Sequence, residues 1–246
     1  IIVGTQLRHT LNSDMGFNKE AIVLMDVPWK YQNNPRYKDK QFTLLNQLRN
    51  LPGIENVALG SAPLSSGYSS SPFELISDKK DPVGIQVFKK WIDTAYLPMY
   101  RMELLAGRNL HHSDTTNEFI INETAVKASG FKSPQEAVGR MMRQSGNSTF
   151  SIVGVVKDFH SQDFYKPIEP LALMSDKQNL LTLNIKLNTR NASQWQSTLK
   201  TIKKQWDSIY PPDAFQYHFY DETVEAMYVQ ERQLAKLINL ATAITI

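Results

Sequence analysis

Two distant stretches of the chain carry one pattern, and that repetition limits the fold more than any other feature. In residues 180–187, Leu181, Leu183, Ile185 and Leu187 alternate with Thr182, Asn184 and Lys186, the period of a strand with the polar set outward. Asn191 is placed to cap a helix in which Trp195, Leu199, Ile202, Trp206 and Ile209 step by 4, 3, 4 and 3. Pro211-Pro212 stops it, and Phe215, Tyr217 and Phe219 alternate along a closing strand. Earlier, the apolar run Ala21 to Val27 ends at Pro28, and Asp39 opens a helix with Leu44, Leu48 and Leu51 on one face and Leu45 beside them. Pro52-Gly53 closes that helix, and Asn56 to Ala62 reads as the next strand. Two β-α-β units thus bracket a long middle stretch. Right-handed crossovers allow all four strands into one sheet, with both helices on one side: an α+β sandwich.

The middle, roughly Ser66 to Asp176, reads as mostly β with loops. Ser65 to Ser71 is a Ser/Gly/Tyr loop, a boundary; Val83 to Ile92 is a strand with Ile85 and Val87 on one face. Leu97-Pro98 and Ala106-Gly107 punctuate the stretch beyond it, and Phe119 to Ile121 is short and apolar. Asn122 to Ser129 is a short helix ended by Gly130, and Ser133-Pro134-Gln135-Glu136 is a capping box with proline at the first helical position. Met142 to Thr149 reads as a turn. Phe150 to Val156 is a buried, β-branched strand interrupted by Gly154, as a bulge or a close backbone approach would interrupt it. It breaks into a loop punctuated by Pro167 and Pro170, which predicts a hinge between building blocks.

Both ends turn apolar. Val3, Leu7 and Leu11 share a helical face before Gly16, and residues 222–246 read as one helix with Met227, Leu234 and Ala241 seven apart and Ile238 beside them. Its last ten residues, LINLATAITI, are too few to span a bilayer, which takes about 20. Both ends fit the outer ends of membrane helices; a surface helix at the start and a buried core helix at the end fit as well. The chain opens on Ile1-Ile2-Val3 without a start methionine, as an excised piece of a longer protein would.

Chemistry is sparsely signalled. With 246 residues, 41% of them hydrophobic, the chain can bury a core. A net charge of +3 without a dense Lys/Arg run argues against nucleic acid. The absence of cysteine excludes disulfides, thiolate metal sites and cysteine nucleophiles. Neither a Walker loop nor G-x-G-x-x-G is present, so nucleotide is not expected within these residues. His111 and His112 with Asp114 are the candidate metal set, but adjacent histidines diverge and no third ligand stands at motif spacing, which favours a solvated loop. Asp158 and His160 could pair as base and orienter, yet no serine stands in G-x-S-x-G, so both read as structural loop residues. Asn122, Asn147 and Asn191 head glycosylation sequons, the first and last better explained as helix caps. Tyr68, Tyr96, Tyr100 and Trp91 could form an exposed patch for a partner, though core packing accounts better for some of them. No catalytic, cofactor or metal residue is assigned.

Several strings, in order along nearly the whole chain, resemble the extracytoplasmic domain of the MacB/FtsX-like ABC transporter permeases. They are GFNKE at 16–20, LPGIENVALGS at 51–61, LLAGRNL at 104–110 with Asp114 following, IINETAVKASG at 120–130, AVGR at 137–140, IVGVVKDFH at 152–160 with P-I-E-P at 167–170, and the Tyr228/Glu231 pair. The resemblance implies an N-terminal stalk helix over 1–16, a Porter-like first half over 17–65, and an inserted, mainly-β Sabre-like subdomain over 66–176. A Porter-like second half over 177–221 and a C-terminal stalk helix over 222–246, leading to the membrane, complete the order. It implies an inner-membrane permease with this domain facing the periplasm, working with a cytoplasmic ABC ATPase, where ATP is hydrolysed, and with a second permease copy or second half of the same permease. A periplasmic adaptor and an outer-membrane channel accompany some members. The expected role is non-enzymatic: transmitting ATP-driven movement to the periplasm, with export or release of peptide, drug or lipoprotein. No hairpin that would hook a lipoprotein chaperone is evident. The stalk faces expected to couple are Val3, Leu7 and Leu11 against Met227, Leu234, Ile238 and Ala241. Two other readings stand beside this one. The first is a stand-alone periplasmic ligand-binding or sensor domain using the cleft between the β-α-β pair and the middle part. The second is a hydrolase using Asp158 and His160.

Overall fold

The computed structural model describes residues 15–32, 34–65, 69–76, 84–144, 148–162, 167–188, 193–227 and 229. Within them the strands are β1 (Ile22–Asp26), β2 (Ile54–Leu59), β3 (Ser69–Leu75), β4 (Gly84–Trp91), β5 (Leu104–Gly107), β6 (Glu118–Asn122), β7 (Met141–Gln144), β8 (Thr149–Val156), β9 (Leu171–Met174), β10 (Thr182–Leu187) and β11 (His218–Phe219). The α-helices are α1 (Lys40–Arg49), α2 (Tyr96–Tyr100), α3 (Glu123–Ala128), α4 (Pro134–Ala137) and α5 (Trp195–Ile209), and residues 220–227 are also helical.

The four outer strands form one sheet in the order β11-β1-β10-β2, every neighbouring pair antiparallel. β1 and β2 therefore run parallel with β10 between them, and β10 and β11 run parallel with β1 between them. Each β-α-β unit is split by a strand of the other, and the two interlock. α1 and α5 cover one face, where Leu44, Leu48, Leu199, Ile202 and Trp206 meet Val23, Met25, Val57, Leu183, Ile185 and Leu187. The leucine face of α1 and the 4-3-4-3 stripe of α5 thus pack as the sequence predicts.

The other face is not solvent. Ile22, Leu24 and Ala58 point from it into a second core that the seven-stranded sheet shares. This explains why 21–25 is an unbroken apolar run rather than an alternation: both faces of β1 are buried up to Asp26, which is exposed. It also corrects the outward placement of Asn184 and Lys186, which are 0% and 5% exposed. Their polar atoms are bonded inside: Asn184 Nδ2 donates to Gly60 O at 2.7 Å, and Lys186 Nζ donates to Glu20 O.

The second sheet runs β5-β8-β6-β9-β4-β3-β7, and a further β7–β8 pairing closes six of its strands into a ring. Phe73, Val87, Phe119, Met142, Phe150, Ile152 and Ala172, from all six, fill the interior, with Val126 and Ala137 from α3 and α4 beside them. Closure pairs both edges of those six strands, which an open sheet would leave exposed, and leaves β5 outside the ring on β8. Gly154 is where the strand is made to serve two cores. Phe119 pairs with Ile152 but Ile120 with Gly154, so Val153 is an extra residue, a bulge. Side-chain parity flips there: Ile152 and Val155 both face the ring interior, while Val153 and Val156 face the shared core. A Cβ on Gly154 would collide with Arg108 O. The bulge and the close approach both occur.

Several local expectations are corrected. Asp39 does not cap α1 with its side chain; its φ is +63° and its carboxylate pairs with Lys177 at 2.8 Å. Ser69 to Ser71 lie in β3, and Met142 to Gln144 and Thr149 lie in β7 and β8, so both loops are shorter than read. Pro98 sits inside α2, within its first turn, where proline's missing N–H is not needed. Ser133 accepts from Glu136 N at 3.3 Å, but Glu136 returns to Lys132 N rather than to Ser133. The chain on either side of the 157–170 stretch does not separate into two blocks: β9 returns to the sheet that holds β8, and Phe159 between them is 1% exposed. The closing strand is only His218–Phe219; Phe215 instead meets Trp206 edge-on.

Candidate coupling site

The described chain begins and ends at one place, the core between the sheets. Gly16, at φ +80°, turns the chain there; a Cβ would lie 2.6 Å from Phe159 Cβ and 2.7 Å from Asp158 O, so this entry path needs glycine. Met15 O accepts from His160 N at 3.2 Å and Asn18 N donates to Tyr100 O at 2.8 Å, tying the entering segment to both flanks. Phe17 between them meets three rings: Tyr220 stacked at 6.0 Å, Tyr100 edge-on at 6.2 Å and Phe159 edge-on at 6.3 Å. Offset and edge-on contacts of this kind are the favoured aromatic geometries.

The exit is built from residues 220–227. Tyr220, Val224 and Met227 fall at i, i+4 and i+7, one helical face, and all three pack on the shared core. The Tyr220 hydroxyl accepts from Leu64 N at 2.6 Å and donates to Leu64 O at 3.2 Å, joining the exit helix to the link between β2 and β3. Lys19 is lowered by burial, with Asp221 and Glu225 of the exit helix opposing that shift. The two described ends are therefore fastened by stacking and by charge.

The hydroxyls around the junction are satisfied across sheets. Tyr100 donates to Asn184 Oδ1 and Tyr96 to Ser61 O, each at 2.5 Å. Burial pushes all three tyrosines well above the ordinary phenol range, so they stay neutral donors. Lys90 of β4, 3% exposed, bonds Ala62 O at 3.0 Å and Ser65 Oγ at 2.9 Å, and burial pulls its ammonium down to about 7. Asp93 is pushed up to about 6 by burial, against the opposing pull of the Leu59 N–H, Arg49 and the Ala95 N–H.

Of the stalk residues, Met227 packs partly buried against the shared core. Val3, Leu7, Leu11, Leu234, Ile238 and Ala241 lie outside the described residues, as do Asn147, Asn191, Tyr68, Tyr228 and Glu231. The other candidates are dispersed. His111 Nδ1 stands 3.6 Å from Glu118 while Asp114 turns to Lys177 at 3.6 Å. Asp158 accepts from Thr124 N and Oγ1, and Glu123 accepts from Asp158 N, a reciprocal staple between β8 and α3. Asn122 caps α3 through Ala125 N and is fully buried, which leaves no room for a glycan. Tyr96 and Tyr100 are fully buried, so these two belong to the core, and Trp91 is half-buried. Sequence reasoning does not single out Phe17, Tyr220 or Lys90. The available signal was the position of Phe17 and Tyr220 just inside the two apolar ends.

Among the described residues no helix is long and apolar enough to cross a membrane. The fold is similar to the periplasmic region of MacB from Actinobacillus actinomycetemcomitans, at 14% identity and TM-score 0.57 over 89% of this chain and 96% of that one. It is also similar to the extracellular domain of the noncanonic ABC-type transporter YknZ from Gram-positive bacteria, at 14% identity and TM-score 0.53 over 80% and 97%. A comparison with curated proteins finds no match. The family model for the MacB-like periplasmic core domain matches residues 2–210, which covers both sheets except β11, and the chain belongs to that family, as the periplasmic domain of an ABC transporter permease.

Proposed function

We propose that this domain transmits ATP-driven movement of the permease's membrane helices to the periplasm, without chemistry of its own. The observation that carries this reading is the convergence of both described chain ends on one aromatic junction. Phe17 and Tyr220 stack on each other, meet Tyr100 edge-on and share one core with residues of both sheets, so a displacement of either end is delivered to the whole body. Close-packed interiors transmit such displacements rather than absorb them. The expected arrangement has stalk helices at both ends and a cytoplasmic ABC ATPase, with a second permease copy or half alongside. The moved cargo is peptide, drug or lipoprotein, delivered with a periplasmic adaptor where one is present. In the intact transporter, a disulfide engineered between Leu7→Cys and Leu234→Cys should block transport and uncouple it from ATP hydrolysis, with activity restored by reductant. A cross-link formed in full that changes neither transport nor ATPase rate overturns the reading.

A further inference from the structure

The described part of the link between β2 and β3, residues 60–65, is held at nearly every residue. Gly60 N donates to Thr182 O at 2.9 Å and Ser61 N to Trp91 O at 3.0 Å, while Ser61 O accepts the Tyr96 hydroxyl. Ser65 N donates to Ser161 O at 3.3 Å. Between these anchors two side chains grip the link alternately. Lys90 Nζ holds Ala62 O at 3.0 Å and Ser65 Oγ at 2.9 Å. The Tyr220 hydroxyl holds both backbone polar groups of Leu64, which lies between them. Lys90 belongs to β4 of the second sheet and Tyr220 to the exit helix, so residues 62–65 join the two.

A neutral donor would make the same two bonds as Lys90 without the cost of enclosing an ammonium, which is large where no counter-charge offsets it. Lys90 shares the face of β4 that carries Phe88 and Ile92 into the shared core. The titratable groups around it offer no compensation. Tyr96 and Tyr100 on α2 and Tyr220 on the exit helix are neutral. His160 adjoins Ser161 on the chain between β8 and β9, and Asp221, Glu222 and Glu225 of the exit helix are exposed. Lys89, next in the strand, bonds Ser71 Oγ instead. Burial pulls the Lys90 ammonium down, and no neighbouring charge acts on it.

Opening the link admits water to Nζ and restores its ordinary affinity for a proton. Opening therefore takes up a proton between about pH 7 and 10.5. The closed link is favoured as pH rises through that window. It is loosest below the window, where both forms are charged and only the closed one bears the burial cost. We propose that Lys90 is a positioning residue for the exit helix: its charge state sets how firmly residues 62–65 are seated, and hence how firmly Leu64 holds Tyr220. As a control on coupling this rests on the coupling reading; as a docking equilibrium it stands apart from it.

The test is backbone hydrogen exchange of the 246-residue chain between about pH 6 and 9, converted to opening equilibria, beside a carbon-13 titration of Lys90 Cε. The Leu64 amide, whose acceptor is the Tyr220 hydroxyl, should be less protected than Ile121 and Ala172 in the ring, opening without global unfolding. Its opening equilibrium should fall above about pH 7, by up to about tenfold per pH unit for one proton, and that of Val224 in the exit helix should follow. Lys90→Met should abolish this dependence and His160→Gln should leave it. Four results each overturn the proposal: Leu64 exchanging only with the ring, an opening of Leu64 or Val224 independent of pH, a Lys90 Cε that does not titrate near 7, or a dependence that survives Lys90→Met or is lost in His160→Gln. The first three are read on the unaltered chain, so they decide even if Lys90→Met does not fold. Any of them can occur while the engineered stalk disulfide still blocks transport, so the coupling reading stands or fails separately.

Discussion

Lys90 is where burial and charge conflict most directly. It lies inside the junction bonded to two neutral oxygens and, among the described residues, to no carboxylate, and its ammonium titrates near 7 instead of 10.5. The unfolded chain therefore binds one more proton than the folded one between about pH 7 and 10.5. Stability must rise with pH through that window and be lowest, for this group, below it, where both states are charged and the folded one carries the desolvation cost. Lys19, Lys89 and Lys186 are lowered by burial too and act in the same sense. Asp93, titrating near 6, changes below the window. Lys90→Met should therefore reduce, without abolishing, the climb in urea midpoint between pH 7 and 10. An unchanged slope would mean that Lys90 stays charged in the fold. Its position was visible in the sequence only as a polar residue in a strand; that it is enclosed depends on the other sheet arriving over it.

At the scale of elements, β8 shows how one insertion lets a strand serve two cores. Without the bulge at Val153, period-two alternation would send Val155 and Ile152, three residues apart, to opposite faces. The glycine beside it allows Arg108 O to approach, so Gly154→Ala should cost about 1–3 kcal/mol through backbone displacement, read as a lower thermal midpoint. A variant as stable as the parent would show that the approach relaxes freely. The glycine's meaning was legible from its place inside a β-branched run. The helices were legible too, because the stripes of α1 and α5 each face a single core. β7 was not: Met141 to Gln144 carries no alternation, and pairing with β3 and β8 makes it a strand. The coupling junction was the least legible element, since Phe17, Tyr100, Phe159 and Tyr220 lie far apart in the chain and each looks ordinary alone.

Across the whole molecule, three cores are stacked: helices on the first sheet, the first sheet on the second, and the ring interior. The middle core holds both described ends, so loosening it should free them together. Tyr220→Ala removes the stack on Phe17 and leaves Leu64 N without its acceptor. The amides of Asn18 and His160, bonded to Tyr100 O and Met15 O, should then lose hydrogen-exchange protection together, while those of Ile121 and Ala172 inside the ring keep theirs. Loss of protection at the exit helix alone would mean that the two ends are not joined.

Periodicity and proline punctuation by themselves determined the two β-α-β units, their helices and the α+β class, because those signals act within a few residues and report which face is apolar. The tertiary structure alone decided that the polar face of β10 is interior, that six strands close into a ring, and that both described ends meet at one aromatic junction. Those outcomes depend on which surfaces come together across more than a hundred residues. An alternating strand reads the same whether its polar face meets water or, as with Asn184 and Tyr100, a partner that satisfies it.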